Sequence, residues 1–141
     1  MKQTKPRIFA YELSGEWTLL VGASDGDNDY LSTQVAQSND WWFHADGVPG
    51  SHVILRAKPN DEPSKETLRQ AAAVAAYHSK ARNAGTTSVH CTRARYVKKP
   101  RGVKTGTVQV AHGRTLKVRP DISFATRVKA TPDPRPEEPV R

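Results

Sequence analysis

Three aromatic rings, two imidazoles and two carboxylates crowd into one short run, Asp40-Trp-Trp-Phe-His-Ala-Asp-Gly-Val-Pro-Gly-Ser-His52. Side chains alternate faces along a strand, so Trp41 and Phe43 share one face while Trp42 and His44 share the other. One aromatic face can enter a core while the second offers a platform. Nucleic-acid bases stack on such platforms, each for roughly 1–3 kcal/mol. A strand buried on both faces gives the same pattern, and spacing leaves the two readings open. Pro49 and Gly50 shape the turn that returns the chain to His52.

The second chemical signal is cationic. Arg93, Arg95, Lys98, Lys99, Arg101 and Lys104 fall within twelve residues, with Tyr96 among them. If Arg93 and Arg95 share a strand face, they form a stripe with the loop over 98–104. A phosphate backbone needs such a row, because its affinity comes mainly from counterions released at several phosphates. A solubilising loop has the same composition. The charge is not spread evenly along the 141 residues, whose net is +8. Residues 79–129 carry thirteen Lys/Arg and one acid, Asp121, a net of +12. Residues 1–78 sum to −3 and 130–141 to −1. Such asymmetry points to a polyanionic partner.

Other chemistries find less support. His44, His52, His78 and His90 lack zinc-site spacing, and Cys91 has no second cysteine beside it. Asp25, Asp27 and Asp29 start like a calcium loop, but Tyr30 stands where its glycine belongs and Ala36 where its glutamate belongs. No metal or cofactor is expected. Ser51–His52, His78–Ser79 and His90–Cys91 are sequence neighbours, and neighbours on a strand or helix point apart. No catalytic residue is assigned. An RNA-processing or RNA-modifying enzyme using His44, His52 or His78 as acid or base stays an alternative. So does a protein-interaction module for an acidic ribosome-associated partner.

The elements that must position these groups follow from pattern. Residues 7–13 and 17–21 read as a hairpin around Ser14-Gly-Glu16. Residues 25–29 read as a polar loop, and Tyr30–Gln37 as a short helix capped by Asn28 or Asp29. Strands are expected at 41–44 and 52–57. The main helix is expected over about 64–83, with Glu66 in its first turn, Lys80 and Arg82 in its last, and Gly85 as its stop. Leu68, Ala71, Ala72, Ala75 and Ala76 give it a small-residue face that can lie close to a sheet. Short strands are expected at 88–92, 94–98, 107–110 and 115–118. The order implies an α+β domain: a largely antiparallel β-sheet with one main helix packed on it. Residues 1–6 are expected to be a flexible N-terminus, 7–129 the domain, and 130–141 a Pro-rich disordered tail. No apolar run approaches a membrane span, and no secretory signal is recognised. One cysteine fits a reducing compartment, so a cytoplasmic location is expected.

The run from Asp40 to Arg56 resembles the D-x-W-F-H-…-P-G-S-H-V signature of the NFACT-R family, the RNA-binding domain of NFACT proteins. Ala75-Ala-Tyr-His-Ser-Lys-Ala-Arg82, Tyr96-Val-Lys-Lys-Pro-Arg-Gly102 and Gly113-Arg-Thr-Leu-Lys-Val118 resemble its later motifs, in order. The resemblance covers about 8–122. In that family the domain usually ends a larger ribosome quality-control factor that binds tRNA and the obstructed large ribosomal subunit. The resemblance therefore implies binding of RNA, tRNA or rRNA, with the large subunit as a possible partner. At this length it also implies a stand-alone version, to which template-free tailing is not carried over. The basic stretch beside the aromatic-histidine turn suggests as RNA contacts Trp42, His44, His52, Lys80, Arg82, Arg93, Arg95, Lys98, Lys99, Arg101 and Lys104. The residues leave the oligomeric state open.

Overall fold

The computed structural model describes residues 6–129. The expected tail at 130–141, and all of the expected flexible N-terminus except Pro6, lie outside them. The first hairpin is β1 (Ile8–Leu13) and β2 (Trp17–Gly22), paired antiparallel from Ile8↔Gly22 to Leu13↔Trp17. Gly15 and Glu16 turn it with positive φ. The aromatic strand is β3 (Trp41–Ala45), and β4 (Val53–Leu55) lies between it and β2. On its other side β3 pairs with β5 (Thr87–Arg93), which also pairs with β8 (Arg114–Val118). β9 (Thr126–Val128) closes the far edge against β1. All these pairings are antiparallel, in the order β8-β5-β3-β4-β2-β1-β9. A separate two-residue ladder joins β6 (Val97–Lys98) to β7 (Gln109–Val110).

Helix α2 (Lys65–Tyr77) covers one face of the sheet. Ser64 caps it, its hydroxyl accepting from Thr67 N at 3.1 Å. Its alanines bring its backbone close to Val21, Phe43, Val53, Val89 and Cys91, and this forms the larger core. The buried surface of α2 is wider than one stripe: residues 71–76 are all buried. Ile122, Phe124 and Ala125 pack against the same cluster, and Asp121 N reaches Ala73 O at 3.2 Å. The opposite face holds a second core of Ala10, Leu20, Trp42, Ile54, Leu31 and Val35, with Val97, Val108 and Val110 over it. β3 is therefore buried on both faces. Phe43 is fully buried on the helix side, and Trp42 is 3% exposed on the other.

Local elements differ from expectation where a side chain outside the pattern decides. The helix before β3 begins earlier, as α1 (Asp25–Tyr30), and continues as a π-helical turn, Leu31–Val35. Ser24 caps it, and Asp25 and Asp27 sit in the first turn where the dipole favours acids. Helix α2 stops at Tyr77, six residues short of Asn83, because the chain there bridges to the Pro49–Gly50 turn. Residues 94–98 are a 3-10 turn, Ala94–Tyr96, followed by β6 rather than one strand. Asp40 and Arg56, the two ends of the aromatic motif, form a clamp. The Asp40 carboxylate, 1% exposed, accepts from Ala57 N at 2.7 Å, Gln37 N at 2.8 Å and Arg56 Nη1 at 3.1 Å.

Candidate nucleic-acid interface

The expected site residues separate into three places on the fold. The first is where α2 ends. Ser51 N donates to His78 O at 2.9 Å and Lys80 N to Pro49 O at 2.9 Å, which welds the Pro49–Gly50 turn to the residues after α2. Gly50 has no room for a side chain: a Cβ would lie 2.6 Å from Ser79 Cβ. Ser79 Oγ in turn caps Ala76 O at 2.7 Å. The junction floors a groove of about 390 Å³ whose lining includes Phe9, Ser51, His78, Lys80 and Arg82. Lys80 and Arg82 are exposed. They lie beyond the helix, not in its last turn, yet Arg82 Nε still donates to Tyr77 O at 2.7 Å, and its guanidinium lies 4.2 Å from the Tyr77 ring centre. His78 accepts or donates a 2.8 Å hydrogen bond with Tyr11 OH. Burial, with Arg82 and Arg127 adding, pushes its pKa down to about 4, so the ring is neutral at pH 7.

The second place is on the opposite side of the Ser51–His52 segment. Trp42, His44, His52 and His90 wall a cavity of about 270 Å³, closed over by Gly106, Thr107, Val108 and Val110. Trp42 and His52, expected as base contacts, are 3% and 2% exposed, so neither is a surface platform. Sheet register explains this: Trp42, Ile54 and Leu20 align across three strands beneath the π turn. Trp42 Nε1 donates to Ser32 Oγ at 3.0 Å, and Ser32 Oγ meets His52 Nδ1 at 2.7 Å. With Trp42 donating into Ser32, the serine proton is free for Nδ1, which favours the His52 tautomer protonated on Nε2. Burial lowers the pKa of His44, and burial with the nearby His44 lowers that of His52 to about 4.

The third place is the basic segment. Arg93 and Arg95 do not form a stripe, because β5 ends at Arg93 and the 3-10 turn redirects the chain. Both instead hold the 38–39 turn: Arg93 Nη1 donates to Asn39 O and Arg95 Nη1 to Asn39 Oδ1, each at 2.7 Å. Arg93 also pairs with Glu62 at 2.7 Å and stacks 4.0 Å from the centre of Trp41. Lys99 is tied inward, donating to Lys104 O and Thr107 O and pairing with Asp29 at 3.4 Å. Asp29 also accepts from Gly106 N at 3.0 Å. Lys99 and Asp29 thus pin the 104–107 loop over the cavity. Lys98, Arg101 and Lys104 are exposed. A groove of about 680 Å³ runs between the π turn and this segment, with Arg95, Lys98, Lys99, Gln37 and Gln109 in its walls.

Sequence reasoning missed four participants. His90 faces His44 across the β3–β5 ladder, a register no local pattern reveals. Phe9 and Arg127 meet at 4.3 Å, because β9, too short and polar to be recognised, pairs with β1. Asp29, read as part of a solvated loop, is a loop anchor. The neighbouring pairs carry no nucleophile. Ser51 Oγ donates to Gly22 O at 2.7 Å, and burial pushes the Cys91 thiol up to about 11 on the helix side of β5.

Comparison with known proteins places this arrangement. The family profile described as the NFACT protein RNA binding domain matches residues 5–112. The chain is 39% identical over 128 residues to the Rqc2 homolog RqcH of Bacillus subtilis, covering 91% of this chain and 22% of that protein. It is 38% identical over 119 residues to RqcH of Streptococcus suis, covering 84% of this chain and 21% of that protein. Among solved structures, the C-terminal part of the fibronectin/fibrinogen-binding protein from Streptococcus suis matches with a TM-score of 0.75 at 38% identity. That match covers 86% of this chain and 47% of the other. The chain spans about a fifth of the length of the curated relatives it matches. Among the described residues, no helix is long and apolar enough to cross a membrane.

Proposed function

The chain belongs to the family of NFACT protein RNA binding domains, and from that premise we propose that it binds structured RNA, a tRNA or the rRNA of a large ribosomal subunit, in ribosome quality control. One observation carries the reading beyond the family. Lys80 and Arg82 stand exposed at the rim of a groove floored by the Pro49–Gly50 turn and neutral His78. A cationic rim meets phosphates, while a neutral, partly aromatic floor accepts sugar or base. Lys98, Arg101 and Lys104 supply further phosphate contacts on the loop side. Lys99 acts from beneath, holding the loop that presents them, while Arg93 and the exposed Arg95 hold the 38–39 turn beside it. The Asp40–Arg56 clamp ties the open end of the β3–β4 pair, opposite the turn that carries Gly50, and the turn itself is held by the residues after α2.

A filter-binding titration with tRNA, and with a large-subunit rRNA fragment, at several salt concentrations tests this. Five phosphate contacts give a slope of log affinity against log salt on the order of −4. A slope near zero, or no binding at low salt, sinks the proposal. Lys80→Glu with Arg82→Glu should weaken binding at least tenfold while the melting temperature stays within a few degrees. The tRNA-to-rRNA affinity ratio identifies the preferred RNA.

A further inference from the structure

The aromatic platform expected at Trp42 is buried, yet the fold exposes another pair of rings beside the basic loop. Tyr96 ends the 3-10 turn before β6, and His112 follows β7. Their ring centres lie 4.5 Å apart with planes tilted by 57°. Tyr96 is half-buried and His112 is exposed. The backbone fixes both. Ala111 N donates to Tyr96 O at 3.1 Å, and Thr92 Oγ1 donates to Ala111 O at 2.8 Å. The Arg95 guanidinium lies 5.3 Å from the centre of the Tyr96 ring. His112 sits at φ 54°, in the left-handed region that favours glycine. The glycine stands one residue later, where a Cβ on Gly113 would lie 1.9 Å from His90 Nε2. An exposed ring thus occupies a turn position that glycine would adopt more readily.

The two rings line a hollow of about 510 Å³ together with Lys98, Gln109, Val110 and Ala111. Val97 and Val110 pack over the second core, so alternation turns their neighbours Lys98 and Gln109 away from it. Those two side chains border this hollow on one side and the groove of about 680 Å³ on the other. Among the described residues, no acid lines the hollow. A phosphate alone would use Lys98 and leave the rings without a role. His112 belongs to no cluster able to hold a metal ion among the described residues. A nucleotide uses every group: its base covers the rings, its phosphate meets Lys98, and Gln109 can hydrogen-bond its edge or sugar. The rings touch each other, so nothing enters between them, and an occupant lies against the side they turn to the hollow.

We propose that Tyr96 and His112 form a stacking platform for one unpaired base of the RNA strand whose backbone Lys98 holds. The inference rests on the RNA-binding reading and adds to it the kind of RNA met at this loop. A base inside a duplex has its faces covered by its neighbours, so the platform selects a strand with an unstacked base. Stacking tolerates any base, because each has a π-face. The platform therefore favours unpaired over paired RNA, without choosing one letter.

Two RNA octanucleotides test this, one with its bases and one abasic throughout, so that both carry the same phosphates. Each is titrated against wild type, Tyr96→Leu and His112→Gly, with binding read by anisotropy of a terminal fluorescent label. Wild type should prefer the strand with bases by about tenfold or more. Each variant should cut that preference about tenfold, the loss of one stacked base, while its slope against log salt stays as in wild type. Tyr96→Phe keeps a ring and should lose less than Tyr96→Leu. His112→Gly suits the positive φ, so its melting temperature should stay within a few degrees of wild type. It decides the point should Tyr96→Leu fail to fold. By NMR, the His112 ring protons should move on addition of the strand with bases and stay in place with the abasic one. If tRNA binds but the strand with bases does not, the pair is no platform. The same holds if His112→Gly keeps the wild-type preference or the His112 ring does not move. In each of these cases RNA binding, read from the salt slope with tRNA, stands. If neither strand nor tRNA binds at low salt, the RNA-binding reading falls and the platform with it.

Discussion

At the scale of single residues, the same imidazoles that suggest chemistry also govern stability against acid. Burial lowers the pKa of His52 and His78 from 6.5 to about 4, and it lowers that of His44 too. The folded state therefore holds these rings neutral where the unfolded chain would protonate them. Stability is fully present above pH 6.5. It falls as pH drops toward 4, where the unfolded state binds more protons. Thermal melts between pH 7.5 and 4 should show a falling midpoint, and His78→Gln should flatten the fall. An equally steep decline in that variant would show that other groups govern it. His78→Gln can keep a hydrogen bond to Tyr11 OH, which separates loss of titration from loss of contact. Little of this was legible from the chain. The alternation of Trp42 and His44 was, but the burial of both faces of β3 depends on a π turn and a distant hairpin that cover the second face.

At the scale of elements, the main helix, the first hairpin and the aromatic strand were readable because each carries a strong local period. The places where reading failed share a physical cause. Helix α2 ends at Tyr77 because Ser79 bridges to Gly50, a contact across nearly thirty residues of chain that no capping rule contains. The supposed stripe of Arg93 and Arg95 dissolves because a 3-10 turn breaks the alternation that a stripe needs. The basic loop makes the sharpest distinction, between adjacent lysines. Lys98 is exposed, while Lys99 is bonded to Asp29 and two carbonyls and holds the loop on the sheet. Lys98→Glu should weaken RNA binding several-fold with an unchanged melting temperature. Lys99→Glu should place a carboxylate against Asp29 and lower stability by about 1–3 kcal/mol, the usual penalty for a broken, partly buried polar network. Urea denaturation of the two variants compares them directly. Equal stability would mean that Lys99 is no anchor.

At the scale of the whole molecule, the uneven charge of the chain becomes a spatial arrangement. Several acids of the front half are consumed as anchors: Asp40 on Arg56, Asp29 on Lys99, Glu62 on Arg93. Exposed cations of the basic stretch stand at two rims, Lys80 with Arg82, and Lys98 with Arg101 and Lys104. Only a thin partition separates the groove of the first rim from the cavity below the second. Ser51 lines one and His52 the other, and Asp25 borders both the groove and Gly106. A single RNA strand can thus lie along both rims. Each rim should then add its own share of released counterions, roughly 0.7–0.9 of a slope unit per phosphate. Lys80→Glu with Arg82→Glu should reduce the salt slope by about 2. The triple reversal at 98, 101 and 104 should reduce it by about 3, and all five together should leave it near zero. Losses in binding free energy should add within about 0.5 kcal/mol, as expected for separated sites on one ligand. The competing arrangement, a separate RNA molecule on each rim, predicts two RNA molecules per protein by calorimetry and a surviving high-affinity site in either single-rim variant.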